Sequence, residues 1–127
     1  ARLEVQEATS NEPWGPHGSL MTEIADATVD PNELQLIMGV LQKRLLDTGK
    51  NWRHVYKSMT VMEFLVANGS PQAVEKQPLT EFQYVEQPSG KDQGINVRKK
   101  AETMVALLND RQRINDVRKK AAANKNK

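Results

Sequence analysis

Apolar side chains recur along the chain every three or four residues, and Gly and Pro mark the breaks between these stretches. This spacing predicts amphipathic α-helices, and no stretch shows the alternation of a half-buried strand. We predict helices over about residues 1–9, 19–28 and 51–68, one from 31 that Gly49 ends, a short one after Pro71, a long one from 95 and a last one after Asp110.

Three of these helices carry a start signal. Asp30 precedes Pro31, with Glu33 at the third helical position, and a capping side chain followed by proline and an acidic residue is typical of a helix N-terminus. Ser70 before Pro71 can start another helix, and Asp110 can cap the last one. Pro78 limits the helix after Pro71 to about two turns. Residues 10–18 and 79–94 are predicted to be mainly loop, with a short apolar piece at the start of the second.

Short helices joined by short loops imply an all-α stack of about seven helices. The length of 127 residues suits one domain. Residues 115–127 have few apolar positions, so we expect the end of the last helix to fray. The chain has no cysteine, no apolar run that could span a bilayer and no secretory signal, so we expect a cytoplasmic protein.

The formal net charge of +2 conceals two basic segments in an otherwise acidic chain. Residues 43–57 contain five cations against one anion, and residues 93–127 contain ten cations against three anions. Local positive potential attracts phosphate groups whatever the total charge. Lipid headgroups, nucleic acid and acidic peptides are therefore the candidate partners.

Catalytic and metal-binding patterns are almost absent. His17 and His54 lack a second histidine or a carboxylate at ligand spacing, and no phosphate-binding glycine loop or serine nucleophile motif is present. We therefore expect neither an enzyme nor a bound cofactor or metal.

The first basic segment lies where the third predicted helix ends and the fourth begins. Lys50 and His54 are four residues apart and share a helix face, Arg44 comes from the last turn of the preceding helix, and Lys57 extends the group. Free N–H groups and the positive end of the helix dipole at a helix N-terminus also favour an anion. These residues predict a phosphate site. The alternative is that the cations complement a helix C-terminus and solvate a face.

The remaining cations and the tryptophans have simpler interpretations. Trp52 is predicted to lie in the core, and Trp14, between two prolines, to pack its loop against the helices. The cations of the C-terminal segment are predicted to form a solvated face that could add attraction to an anionic bilayer. Eight of these ten cations are Arg98, Lys99, Lys100, Arg111, Arg113, Arg118, Lys119 and Lys120.

Three stretches resemble the ENTH domain of the epsin family, and RKKAAANKNK at the end is similar to plant epsin-like proteins. They are EATSNEPWGPHGSLMTEIA (7–25), GKNWRHVYKSMTVMEFLVANGS (49–70) and FQYVEQPSGKDQGINVRKKAETMVALLNDRQRI (82–114). The resemblance implies a single domain, a superhelical stack of α-helices, at the N-terminus of an adaptor for clathrin-mediated endocytosis or vesicle trafficking. It also implies binding to phosphoinositide headgroups at the plasma membrane, endosomes or Golgi-derived vesicles.

Position by position, the family's headgroup contacts fall on five residues here. These are Asn11, Arg44, Lys50, His54 and Lys57. The charge and spacing of the basic segment already indicate four of them, whereas Asn11 follows from the resemblance alone. Its role requires the first loop to fold back over the third-to-fourth helix junction. Gln6 stands where the family has a further arginine, which implies weaker or altered headgroup preference.

Two segments also depart from the family pattern. Residues 70–79 are about two helical turns shorter than the family segment, and the sequence begins after the amphipathic segment that epsins insert into lipid, with its first helix truncated. We therefore expect peripheral, salt-sensitive membrane binding.

Partners follow from the same resemblance. Some relatives recognise trafficking cargo such as SNAREs, so a protein-interaction domain with weak lipid binding is the alternative function. Contacts with the clathrin coat are expected through regions outside this chain, nucleic acid is not expected as a partner, and without a heptad seam we expect a monomer.

Overall fold

The computed structural model describes residues 2–10, 18–46, 52–77 and 94–125. These residues form seven α-helices and no strand, which confirms the predicted all-α class. The helices are α1 (Arg2–Ala8), α2 (Gly18–Ala27), α3 (Pro31–Leu45), α4 (Trp52–Asn68), α5 (Pro71–Glu75), α6 (Gly94–Leu108) and α7 (Arg111–Lys125). Predictions for Trp14, for most of 10–18 and for 79–93 lie outside the described residues.

The three predicted helix starts are confirmed by hydrogen bonds. Asp30 Oδ1 accepts from the backbone N–H groups of Asn32 and Glu33, at 2.8 and 3.3 Å. Ser70 Oγ accepts from the N–H of Ala73 at 3.2 Å. Asp110 Oδ1 likewise accepts from the backbone N–H of the third residue of α7, at 3.1 Å. Each cap satisfies N–H groups that have no partner inside the helix.

Helix α4 is the centre of the molecule, because it contacts each of the other six helices. A helix surrounded in this way must be apolar on more than one face. Val61 and Leu65 are therefore fully buried, as are Val55, Met59, Met62 and Val66. Trp52, which was predicted to lie in the core, is only partly buried and packs edge to face against Tyr56 at 6.4 Å between ring centroids.

The other helices pack one apolar face onto α4 or its neighbours. The fully or nearly buried core residues are Val5 and Ala8 in α1, Ile24 and Ala25 in α2, Leu34, Ile37, Leu41 and Leu45 in α3, Ala73 in α5, Val97, Ala101, Met104 and Leu107 in α6, and Ile114 in α7. In α6 Leu107 is nearly fully buried, whereas Leu108 is partly exposed. In the part of the chain that is described, no helix combines the length and apolar character needed to cross a bilayer.

Candidate phosphoinositide site

Arg44 lies where three helix ends converge. It belongs to the last turn of α3, its Nε donates to Thr9 Oγ1 just past the end of α1 at 3.3 Å, and its Nη1 contacts His54 in the first turn of α4. The Thr9 hydroxyl can accept this bond because it donates its own hydrogen to the carbonyl of Val5 at 2.8 Å. We call Thr9, Arg44 and His54 the Arg44 site.

The guanidinium of Arg44 contacts the imidazole of His54 through Nη1. Its Nη1 is 3.3 Å from both Nδ1 and Nε2 of the ring. An atom in the ring plane at equal distances from both nitrogens would collide with Cε1 between them. Nη1 therefore lies over the face of the ring.

This arrangement orients Arg44 without neutralising its charge. Within the described residues no carboxylate pairs with Arg44, and its Nη2 has no hydrogen-bond partner. Arg44 and His54 are both partly exposed, so the cation is reachable from solvent. Because α4 begins at Trp52, the N–H groups of its first turn lie beside His54. A fixed guanidinium edge at a helix N-terminus is suited to a phosphate.

Lys57 occupies a different environment from that of a surface cation. It lies three residues after His54 on α4, is only 7% exposed and already interacts with another group of the protein. A buried ammonium contributes positive potential to the neighbouring surface. Its predicted direct contact with a headgroup stays a prediction.

Sequence models and known structures point to the same family. A model of the ENTH domain matches residues 1–114. The chain is 53% identical over 132 residues to Clathrin interactor EPSIN 2 of Arabidopsis thaliana, covering 98% of this chain and 15% of that protein. It is 50% identical over 135 residues to human Epsin-1, covering all of this chain and 23% of that protein. The chain belongs to the ENTH domain family.

Structural similarity agrees with this assignment. The ENTH domain of epsin-2, solved in complex with phosphatidylinositol 4,5-bisphosphate, superposes with a TM-score of 0.82 at 37% identity, covering 94% of this chain and 89% of that one. The chain spans less than a quarter of the length of each of the two epsins named above.

Of the five predicted site residues, the structure brings Arg44 and His54 into direct contact. Asn11 and Lys50 lie outside the described residues. The hydrogen bond from Arg44 to Thr9 places the end of α1, two residues before Asn11, at the junction of α3 and α4. The fold-back of the first loop and the role of Asn11 stay predictions.

Thr9 was missed by sequence reasoning. A threonine at a helix end normally bonds the carbonyl four residues earlier, and nothing local signals a second partner 35 residues away. Gln6, one turn before Thr9 on α1, is partly exposed. It has the exposure that a headgroup contact needs, although its amide lacks charge.

Proposed function

We propose that this ENTH domain binds the headgroup of a phosphoinositide in an anionic membrane at the Arg44 site. The observation that supports this most directly is the partly exposed guanidinium of Arg44, which contacts Thr9 and His54 and whose Nη2 has no partner among the described residues. These contacts restrict the rotation of the side chain, so less entropy is lost when a phosphate is bound.

Other predicted residues extend the site. We propose that Asn11 and Lys50 contact the same headgroup, since each is adjacent in sequence to an element that contributes to the Arg44 site. His54 contacts the guanidinium, and the buried Lys57 adds positive potential to the neighbouring surface. A headgroup with phosphates at separate ring positions would engage several of these donors together.

The biological role proposed for the domain is that of a membrane adaptor in clathrin-mediated endocytosis. Its support is the relationship to epsins, one of which is named as a clathrin interactor. We assign coat recruitment to sequence outside these 127 residues and membrane attachment to the domain itself. The domain would then act as a peripheral protein on the cytoplasmic face of a membrane, without catalysis.

Vesicle flotation tests the proposal. The wild-type chain should float with phosphatidylcholine vesicles containing phosphatidylinositol 4,5-bisphosphate and remain behind with vesicles lacking it. Arg44→Ala should lose most of this binding while its circular dichroism is unchanged. Arg113→Ala removes the same charge from an exposed position on α7 and is the matched control. Equal losses in both variants would indicate general charge attraction and contradict a defined site.

Recognition of a trafficking protein such as a SNARE is the alternative, and the uncharged Gln6 at the family's arginine position supports it. In that case a partner pulldown should survive Arg44→Ala and His54→Ala. Equal vesicle binding with and without phosphoinositide would remove the lipid proposal and favour this one. Sedimentation of the free domain would test the proposed monomer.

A further inference from the structure

Four large apolar side chains are exposed among the described residues: Leu3, Val29, Leu36 and Leu46. Scattered apolar residues on a surface are ordinary, so position must decide whether one has a role. Leu46 is 77% exposed and lies two residues after Arg44, at the end of α3 that contributes to the Arg44 site. Val29 is 76% exposed and precedes the other end of the same helix.

The backbone holds Leu46 in place while its side chain faces solvent. Leu46 is the C-cap of α3, with φ −82° and ψ −8°, and its N–H donates to the carbonyl of Lys43 at 3.3 Å. Lys43 is exposed and lies three residues earlier, on the same helix face. The last turn of α3 therefore presents an ammonium group and an apolar side chain side by side.

This pair is complementary to an anionic lipid surface. A lysine near a bilayer is attracted to acidic headgroups, and a neighbouring apolar side chain gains free energy by leaving water for the acyl boundary. Helix α3 has 15 residues and is about 22 Å long at ~1.5 Å per residue. A membrane that reaches Arg44 at its C-terminal end is therefore close to Leu46, whereas Val29 lies about one helix length away from Arg44.

We propose that Leu46 inserts into the interfacial region of the bilayer whose phosphoinositide is held at the Arg44 site. This inference rests on the proposed function and adds the orientation of the domain, with the C-terminal end of α3 toward the lipid. A soluble inositol phosphate offers no apolar phase, so Leu46 contributes to vesicle binding and not to binding of the free headgroup.

The chain contains no cysteine, so single-cysteine variants can be labelled at one position. Leu46→Cys and Val29→Cys are to carry an environment-sensitive fluorophore and be mixed with vesicles containing phosphatidylinositol 4,5-bisphosphate. The label at position 46 should shift to shorter wavelength and be quenched by lipids brominated near the top of their acyl chains. The label at position 29 should do neither. If the protein binds the vesicles but neither label shifts or is quenched, the proposal is wrong.

Comparing the affinity for vesicles with the affinity for a soluble headgroup distinguishes the insertion of Leu46 from headgroup binding at the Arg44 site. Leu46→Ser should weaken vesicle binding about tenfold, which corresponds to ~1.4 kcal/mol, and Val29→Ser should leave it unchanged. Neither substitution should change affinity for soluble inositol 1,4,5-trisphosphate. Unchanged vesicle binding by Leu46→Ser would overturn the insertion alone. Weakened binding of the soluble ligand would also overturn it, since Leu46 would then act on the headgroup site. A wild-type chain that binds neither probe would remove both proposals.

Discussion

The Nη2 atom of Arg118 in α7 lies 2.8 Å from the carbonyl oxygen of Gly69, just past the end of α4. Its Nη1 donates to the carbonyl of Val66 at 2.9 Å. The last carbonyls of a helix have no partner within that helix, and a cation there also complements the negative end of the helix dipole. Arg118 thus ties α7 to the central helix, which corrects its assignment to a solvated face.

Replacing this arginine should destabilise the domain. Arg118→Ala removes two charge-assisted hydrogen bonds at a partly buried position, and we expect a loss of about 1–3 kcal/mol in the free energy of unfolding measured with urea. Arg118→Lys should recover only part of the lost stability, because one ammonium group cannot reproduce the two separate donors of a guanidinium. Arg113→Ala, exposed on the same helix, should change stability by less than about 0.5 kcal/mol. Equal effects of the two alanine variants would contradict the capping role.

Gly69 is required for a close approach between backbone segments. A Cβ at this position would lie 2.7 Å from the carbonyl oxygen of Leu65 and 3.2 Å from Cβ of Ala73. Gly69→Ala should therefore cost about 1–3 kcal/mol of stability, because backbone has to shift. Gly39 is exposed within α3 and has open space around it, so Gly39→Ala should stabilise the domain by about 0.5–1 kcal/mol. Thermal unfolding that moved both variants in one direction would refute this distinction.

Thr28 and Ser70 form a reciprocal buried pair between the end of α2 and the start of α5. The Ser70 N–H donates to Thr28 Oγ1, and Ser70 Oγ donates to the carbonyl of Thr28, both at 2.9 Å. Thr28→Val keeps the shape but leaves a buried N–H without its acceptor, so we expect a loss of about 1–3 kcal/mol in urea unfolding. Thr22→Val, at an exposed hydroxyl that bonds only its own helix, should be nearly neutral. A neutral Thr28→Val would mean that water replaces the lost bond.

Gln6→Arg should strengthen headgroup binding. The substitution supplies the arginine that the family uses, on a partly exposed position one turn before Thr9. A charge-assisted contact with phosphate should raise the affinity for inositol 1,4,5-trisphosphate by about threefold to tenfold in calorimetric titration. Glu7→Gln makes the same net charge change at the adjacent exposed residue and should have a smaller effect. If the two variants behaved alike, long-range attraction would explain the gain without a specific contact.

The helix starts at Pro31, Pro71 and Arg111 could be predicted because each depends on a cap within three residues in sequence. Burial was harder to predict where a helix is enclosed. Val61 and Leu65 are fully buried in α4 because this helix contacts all six of the others. Periodicity describes one helix at a time and carries no information about how many neighbours surround it.

In the candidate site, too, local sequence predicted some features and helix packing decided others. The spacing of Arg44, Lys50 and His54 predicted a basic junction, and the contact between Arg44 and His54 agrees with it. The bond from Arg44 to Thr9 and the burial of Lys57 depend on how α1 and α4 pack around that junction. Lys100 gives a second example, since it pairs with Glu63 at 3.2 Å rather than only facing solvent.

The sequence by itself determined the helical class, the capped helix starts, the basic segment at the α3–α4 junction and the family resemblance, because these depend on residues close together along the chain. Only the tertiary structure decided that Arg44 contacts His54, that Arg118 caps α4 and that Leu46 is exposed beside the site. These contacts join residues from 10 to 52 positions apart or depend on neighbouring helices. Packing of whole helices brings such groups together, and no local pattern encodes it.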